Sequence, residues 1–200
     1  VECKNCHHRF RADHLLEAES ARPEYDKGKV KSIAEINCPD CDGLLTEPKS
    51  FNLMFKTFLG TTEDTSTTAY LRPETAGGMF VNFKNVLNVT RRRLPFGIAQ
   101  IGKCFRNEIS TGNFIFRTRE FEIGEFEYFI NPKDWEKIFE MWLKEIKRWW
   151  QEAMQINMDN LVWHEIPESE RAFYSKRTVD IEYDYPFGVK ELHGIAYRTD

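Results

Sequence analysis

The chain of 200 residues and 23.7 kDa is long enough for one large domain, or for one domain with a small satellite. A hydrophobic share of 41 % and a charged share of 30 % exclude a disordered chain, and no run of eighteen apolar residues spans a membrane. A net charge of −4 argues against a general nucleic-acid coat, which needs a basic excess, but not against an enzyme that touches nucleic acid through a local patch. No charged-then-apolar leader follows Val1, so no signal peptide is expected. A chain that stops inside "IAYRTD" reads as a piece of something longer. Five cysteines, an odd number with four in close pairs, fit a reducing, cytoplasmic compartment better than a disulfide scaffold.

Along the chain, residues 1–48 hold both cysteine pairs and little periodicity, with a short helix expected at Ala12 to Glu19 and a loop at "ARPEYDKGK". From Phe51 the chain turns apolar. "FNLMFKTFLG" reads as a buried strand or irregular core segment, and a short strand is expected at Ala69 to Arg72. "ETAGGMFVNFKNVLNVT" predicts a helix with Phe80, Phe83, Val86 and Leu87 on one side. "PFGIAQIGKCFRNE" predicts a strand, "ISTGN" a turn, and "FIFRTREFEIGEFEYFI" a long strand. Asn131 as N-cap and Pro132 at the first position open a helix to about Gln155, with Trp135, Ile138, Trp142, Ile146 and Trp149 as its core stripe. "LVWHEI", "TVDIEYDY" and "VKELHGIAY" complete the strands. Hairpin-joined strands packed on long helices give an α+β class with a mostly antiparallel sheet flanked by helices. The division expected is a small zinc-ribbon-like module with four cysteines over 1–48 and a catalytic domain over 49–200.

Cys3-Lys-Asn-Cys6 and Cys38-Pro-Asp-Cys41 are two CxxC knuckles with 31 residues between them. Two thiolates two residues apart on a tight turn bind one tetrahedral ion from the same side, and two such turns close its shell, as in a zinc ribbon. Gly43 suits the turn after the second knuckle. A redox pair fits less well, because neither knuckle lies in a βαβ pattern. His7 and His8 are near enough to compete as ligands. Cys104, inside an apolar strand, is read as core.

The stretch from Phe105 to Phe129 scatters charges along apparent core strands: Arg106, Glu108, Arg117, Arg119, Glu120, Glu122, Glu125 and Glu127. A structural strand pair would turn alternate charges into water. Period two instead puts Arg106 with Glu108 on one face, and Arg117, Arg119, Phe121, Ile123 and Glu125 on one face of the next strand. A cation, a flat ring and a carboxylate together suit a phosphate, a base and an ammonium, which is a nucleotide beside an amine. Arg91 to Arg93 form the one dense basic run, either a contact for nucleic-acid phosphate or a solvated turn.

"FRNEIS…NFIFRTREFEIGEFEYF" resembles motif 2 of the class II aminoacyl-tRNA synthetases, here at about residues 98–129. "CKNCHHRFRADHLLEA", "FNLMFKT", "YLRPETAGGMFVNFKNVL", "RTVDIEYDYPFG" and "ELHGIAYRTD" resemble, in collinear order, the glycyl-tRNA synthetases of the homodimeric type. The resemblance implies condensation of glycine with ATP to glycyl-adenylate and pyrophosphate, then transfer of the glycyl group to the 3′ end of tRNA(Gly). Mg²⁺ would accompany ATP, and zinc would be structural. It implies Arg106 on the α-phosphate and the attacking carboxylate, Asn107 and Glu108 on ATP, Arg117 on the β- and γ-phosphates, and Phe121 stacked on adenine. The resemblance thus implies Arg106, Glu108 and Arg117 as the catalytic set. The ATP strand would run through Phe116, Arg117, Thr118, Arg119, Glu120 and Phe121, with Glu191 and Leu192 at ATP and its metal. Glu74 and Glu125 would bind the ammonium; Phe121, Glu122, Ile123, Gly124 and Arg11 would complete the amino-acid site.

Four positions depart from that pattern. Gly77 stands where Gln is usual, Ile123-Gly124 is unusual, and His193 stands where Glu, Trp or Met is commoner. Motif 1, motif 3 and the anticodon-binding domain are expected outside these 200 residues, so the segment alone should activate glycine poorly or not at all. The rival readings are a synthetase-like protein with an altered activity, a zinc-ribbon nucleic-acid-binding module, and another class II synthetase of the seryl, threonyl or prolyl type, which would lack the paired acids Glu74 and Glu125 in this arrangement. The second leaves Glu74, Glu125 and the charged strands unexplained.

Overall fold

The computed structural model describes residues 1–20 and 32–199. The loop expected at "ARPEYDKGK" lies outside the described residues. The chain divides into two compact units, Val1–Phe83 with Ala99–Phe126 and Lys84–Ile98 with Glu127–Asp200. Among the described residues no helix is long and apolar enough to cross a membrane.

The first unit begins with the cysteine segment and helix α1 (Ala12–Ser20), close to its expected bounds. Strands β1 (Lys56–Phe58) and β2 (Thr68–Tyr70) pair antiparallel with Thr57 opposite Ala69. Asp64 shapes the turn between them: its carboxylate accepts the amides of Ser66 at 2.8 Å and Thr67 at 3.1 Å, while the Thr67 hydroxyl accepts the Asp64 amide. Phe51, Leu53 and Met54 are exposed, so the apolar run ahead of β1 is not the core segment its composition suggests. Helix α2 (Ala76–Thr90) follows; it buries Ala76 and Met79 and half-buries Phe83, Val86 and Leu87, while Phe80 lies just off that face.

Strands β3 (Phe96–Phe105) and β4 (Glu120–Phe129) form a two-stranded sheet. The long strand expected from Phe114 begins only at Glu120. Residues 112–117 form a turn instead, closed by the Gly112–Arg117 bridge and carried by positive φ at Asn113 (53°) and Phe114 (55°). Arg106 and Glu108 also lie past the end of β3. The period-two faces therefore hold for Phe121, Ile123 and Glu125 but not for Arg106 with Glu108, nor for Arg117 and Arg119.

In the second unit, Asn131 caps a single 3₁₀ turn (Pro132–Asp134) by accepting the Lys133 amide at 3.1 Å. Helix α3 (Trp135–Arg148) continues from it and widens into a π turn over Trp149–Ala153. The buried stripe ends on Trp150, while Trp149 is exposed. Strands β5 (Leu161–Glu165), β6 (Ser175–Tyr185) and β7 (Gly188–Arg198) form an antiparallel sheet in that order, with Gly188 at φ +103° turning β6 into β7. Ile146 and Trp150 meet Leu161 and Ile181 in an apolar cluster against which Trp142, Tyr183 and Leu192 pack. Burying a side chain such as Ile181 stabilises by about 2 kcal/mol. Arg177 adds a polar clasp: it forks onto Glu165 at 2.8 and 3.0 Å, reaches Glu140 at 2.6 Å and lies over Phe139.

Candidate active site

The two CxxC turns bring four sulfurs together, all within 4.8 Å of one another. Cys3 and Cys41 stand 3.5 Å apart, Cys6 and Cys38 3.7 Å. A tetrahedron with metal–sulfur bonds of about 2.3 Å has sulfur–sulfur edges of about 3.8 Å, so the donor set fits zinc in size and in softness. The amides of Cys6 and Asn5 donate to Cys3 Sγ at 3.5 and 3.4 Å and hold that thiol down to about 6. The Gly43 amide and the Asn5 side chain lower Cys41 as well. These two shifts favour the thiolate, which is the form that binds metal, whereas Cys6, despite the His8 amide that lowers it, is pushed up to about 12 by burial and the neighbouring thiols, and burial raises Cys38. Gly43 matters by contact rather than by its turn: a Cβ there would lie 2.8 Å from Asn5 Cβ and 3.1 Å from Cys3 Sγ. His8 Nδ1 and Asp40 meet at 2.5 Å and tie one knuckle to the other, whereas His7 turns to Glu2.

The charged constellation gathers on the segment Arg72–Thr75, the end of β3 and the start of β4. Arg72 Nε donates to the Lys103 carbonyl at 2.8 Å, and its guanidinium fills the space over Gly102, where a Cβ would come within 2.5 Å of Nη2. Arg106 Nε donates to the Pro73 carbonyl at 3.2 Å, and its guanidinium sits 5.3 Å from the centre of the Phe121 ring. Glu125 accepts from the Thr75 amide at 2.6 Å and from the Thr75 hydroxyl. Cys104 at the end of β3 is fully buried, and burial pushes its thiol up.

Around that centre, Asn107 fastens to the extended run before β1, its amide on the Leu53 carbonyl at 2.7 Å and its side chain on Asn52. Glu108 pairs with Arg117 at 3.5 Å, and its carbonyl accepts Arg119 Nε at 3.2 Å. Phe116 and Thr118 are half-buried; the Thr118 hydroxyl donates to the Glu120 carbonyl, and the Glu120 carboxylate pairs with Lys103. Phe121, Ile123 and Glu125 share the half-buried face of β4, and Glu122 and Gly124 the exposed one. Glu74 is exposed beside the buried Thr75. Arg11 is forked onto Asp13 at 3.1 and 2.5 Å and lowers that carboxyl to about 2. Glu191 and Leu192 belong to β7 of the second unit: Leu192 packs on its core, and Glu191 lies opposite Glu182.

The unusual positions are not forced by space. A Cβ on Gly77 would meet nothing within 4 Å, and one on Gly124 only Ile101 at an ordinary 3.5 Å. His193 stands 6.0 Å from Trp150, edge to face, and burial pushes its pKa below the ordinary value. Thr75, Arg72 and Asn5 escape a reading by motif; the one trace of Thr75 in the sequence is a hydroxyl residue just ahead of a helix.

Comparison with known proteins gives this geometry a setting. The model of the tRNA synthetase class II core domain (G, H, P, S and T) matches residues 58–190. Glycine--tRNA ligase of Cutibacterium acnes is 51 % identical over 205 residues, covering 100 % of this chain and 43 % of that protein. The Glycine--tRNA ligase of Thermobifida fusca is 50 % identical over 205 residues (100 % of this chain, 44 % of that protein), and that of Thermus thermophilus 52 % over 187 residues (93 % and 37 %). The chain thus spans less than half the length of these relatives. With well over half of its residues inside the matched region, the chain belongs to the family of class II tRNA synthetase core domains.

Proposed function

We propose that this chain is the glycine- and ATP-binding part of a glycine–tRNA ligase. The observation that carries the reading is that Arg106, seated over Phe121, and Glu125 are both bonded to the short Arg72–Thr75 segment, Arg106 through Pro73 and Glu125 through Thr75. In the first step a glycine carboxylate oxygen attacks the α-phosphorus of ATP, the bond to the β-phosphate oxygen breaks, and glycyl-adenylate and pyrophosphate form. In the second, a hydroxyl at the 3′ end of tRNA(Gly) attacks the glycyl carbonyl and AMP leaves.

Such chemistry needs positioning and charge stabilisation more than a covalent intermediate. Arg106 offers a planar fork that draws the carboxylate and the α-phosphate together. Its fixed bond to Pro73 and its seat over Phe121 hold that fork in place. Phe121 presents a ring for adenine, with Asn107 and Glu108 beside it; Arg117 and the rest of the stretch to Phe121 take the outer phosphates. Glu125 and Glu74 hold the ammonium, with Phe121 and Ile123 on the same face of β4 as Glu125; Glu122 and Gly124 lie on the opposite face and Arg11 is forked onto Asp13, so the geometry does not support these three in the amino-acid site. Glu191 and Leu192, which the family resemblance assigns to ATP and its metal, lie on β7 of the second unit. Mg²⁺, bound with ATP, would neutralise charge on the phosphates.

Cys3, Cys6, Cys38 and Cys41 hold a structural zinc in a module over residues 1–48, outside the chemistry. The reading carries a homodimer of the protein at its natural length and a cytoplasmic setting, with which cysteines that form no disulfide accord. The test is ATP–pyrophosphate exchange by the natural-length protein with glycine, alanine or serine. Exchange driven by glycine alone supports the reading; no exchange with glycine favours a synthetase-like protein of altered activity.

A further inference from the structure

Thr75 is 1 % exposed, yet it stands between the exposed Glu74 and the first residue of α2. A threonine just ahead of a helix usually turns its hydroxyl oxygen back to accept an amide of the first turn. This one donates instead. Its hydroxyl and its backbone amide both reach Oε2 of Glu125, the amide at 2.6 Å, across fifty residues of sequence. The hydroxyl and the amide come from a single residue at the N-terminal end of a fifteen-residue helix, where a carboxylate is also favoured by the helix dipole. Oε2 is thereby fixed in position, and Oε1 keeps its lone pairs for another partner. A glutamate side chain otherwise has three rotatable bonds and loses much rotamer freedom when a ligand orders it; pinned beforehand, it meets its ligand with that cost already met.

We propose that Thr75 is a positioning residue: it aims Oε1 of Glu125 at the ammonium of glycine and so sets the glycine affinity of a site it does not itself enter. The inference rests on the function proposed above. Arg106 and Phe121 are fixed through other bonds, to Pro73 and to each other, so the ATP side of the site does not depend on the Thr75 hydroxyl.

The experiment uses Thr75→Ser and Thr75→Val in the natural-length protein. KM for glycine and for ATP are measured separately by ATP–pyrophosphate exchange, with alanine as competitor. Thr75→Ser keeps both donors and should stay within about twofold of wild type for both substrates. Thr75→Val keeps the shape and the amide but removes the hydroxyl. A hydrogen bond to a charged group is worth about tenfold or more in binding, so its glycine KM should rise about tenfold while its ATP KM stays within about twofold. Thr75→Ala, which empties the site rather than filling it, serves equally should the valine variant not fold. An unmoved glycine KM, or equal losses for glycine and ATP, overturns the positioning role. Absence of glycine-dependent exchange in the wild type overturns the reaction itself, which separates the two failures.

Discussion

Among the described residues, the fully buried side chain of the second unit is Ile181, an alkyl group in an apolar cluster, whereas those of the first are Cys3, Cys104 and Thr75, which end in sulfur or oxygen. The second unit is therefore ordered by burial of surface. The first, besides burying Ile36, Ala76 and Met79, relies on directed contacts: four sulfurs within 4.8 Å of one another, a threonine on a carboxylate, two arginines on backbone carbonyls. Directed bonds place charges accurately but stabilise less than an apolar core, and they fail one partner at a time. Loss of activity and loss of folding should accordingly come from different residues.

The largest effect expected is on the metal. Cys38→Ser should take zinc from about one per chain to none in elemental analysis. Next comes the apolar cluster. Ile181→Ala should destabilise by about 3–4 kcal/mol in urea unfolding while zinc content is unchanged; lost zinc together with unchanged stability would erase the contrast between the units. Arg106→Ala should lower glycine activation about 10²–10³-fold with the melting temperature near wild type, and Arg106→Lys should not restore it, since a point charge cannot fork.

The smallest effect is a pH dependence. His193 has its pKa below the ordinary 6.5 because it is desolvated where it sits, half-buried, beside Trp150. The unfolded chain then takes up a proton at higher pH than the folded one, so the stability it contributes is present above pH 6.5 and is lost as pH falls through its lower folded value. His193→Asn should flatten that part of the stability–pH profile; an unchanged slope would place the titration elsewhere.

Much of this was legible from residue types at fixed spacing. The two knuckles, the N-cap Asn131 with Pro132, and the three closing strands each carry their signal within a few neighbours. The turn over 112–117 did not, because "FIFRTR" alternates like a strand and its aromatic residues favour one; Asn113 and Phe114 in left-handed backbone break that pattern. Trp149 and Trp150 both fit a helical stripe, and only the folded chain shows that Trp150 is the buried one. Phe51, Leu53 and Met54 read as core by composition, but nothing local fixes what covers them. Thr75 was silent because its partner lies fifty residues away, and a hydroxyl ahead of a helix has an adequate local explanation.

The central claim, that Glu125 answers to glycine and Arg106 with Phe121 to ATP, is most directly tested by Glu125→Gln. The amide still accepts from Thr75 through its oxygen but has lost the charge. Steady-state exchange should show the glycine KM raised about a hundredfold, as for a paired charge that loses its partner, with the ATP KM within about threefold. Equal rises for both substrates, or none for glycine, would contradict the account.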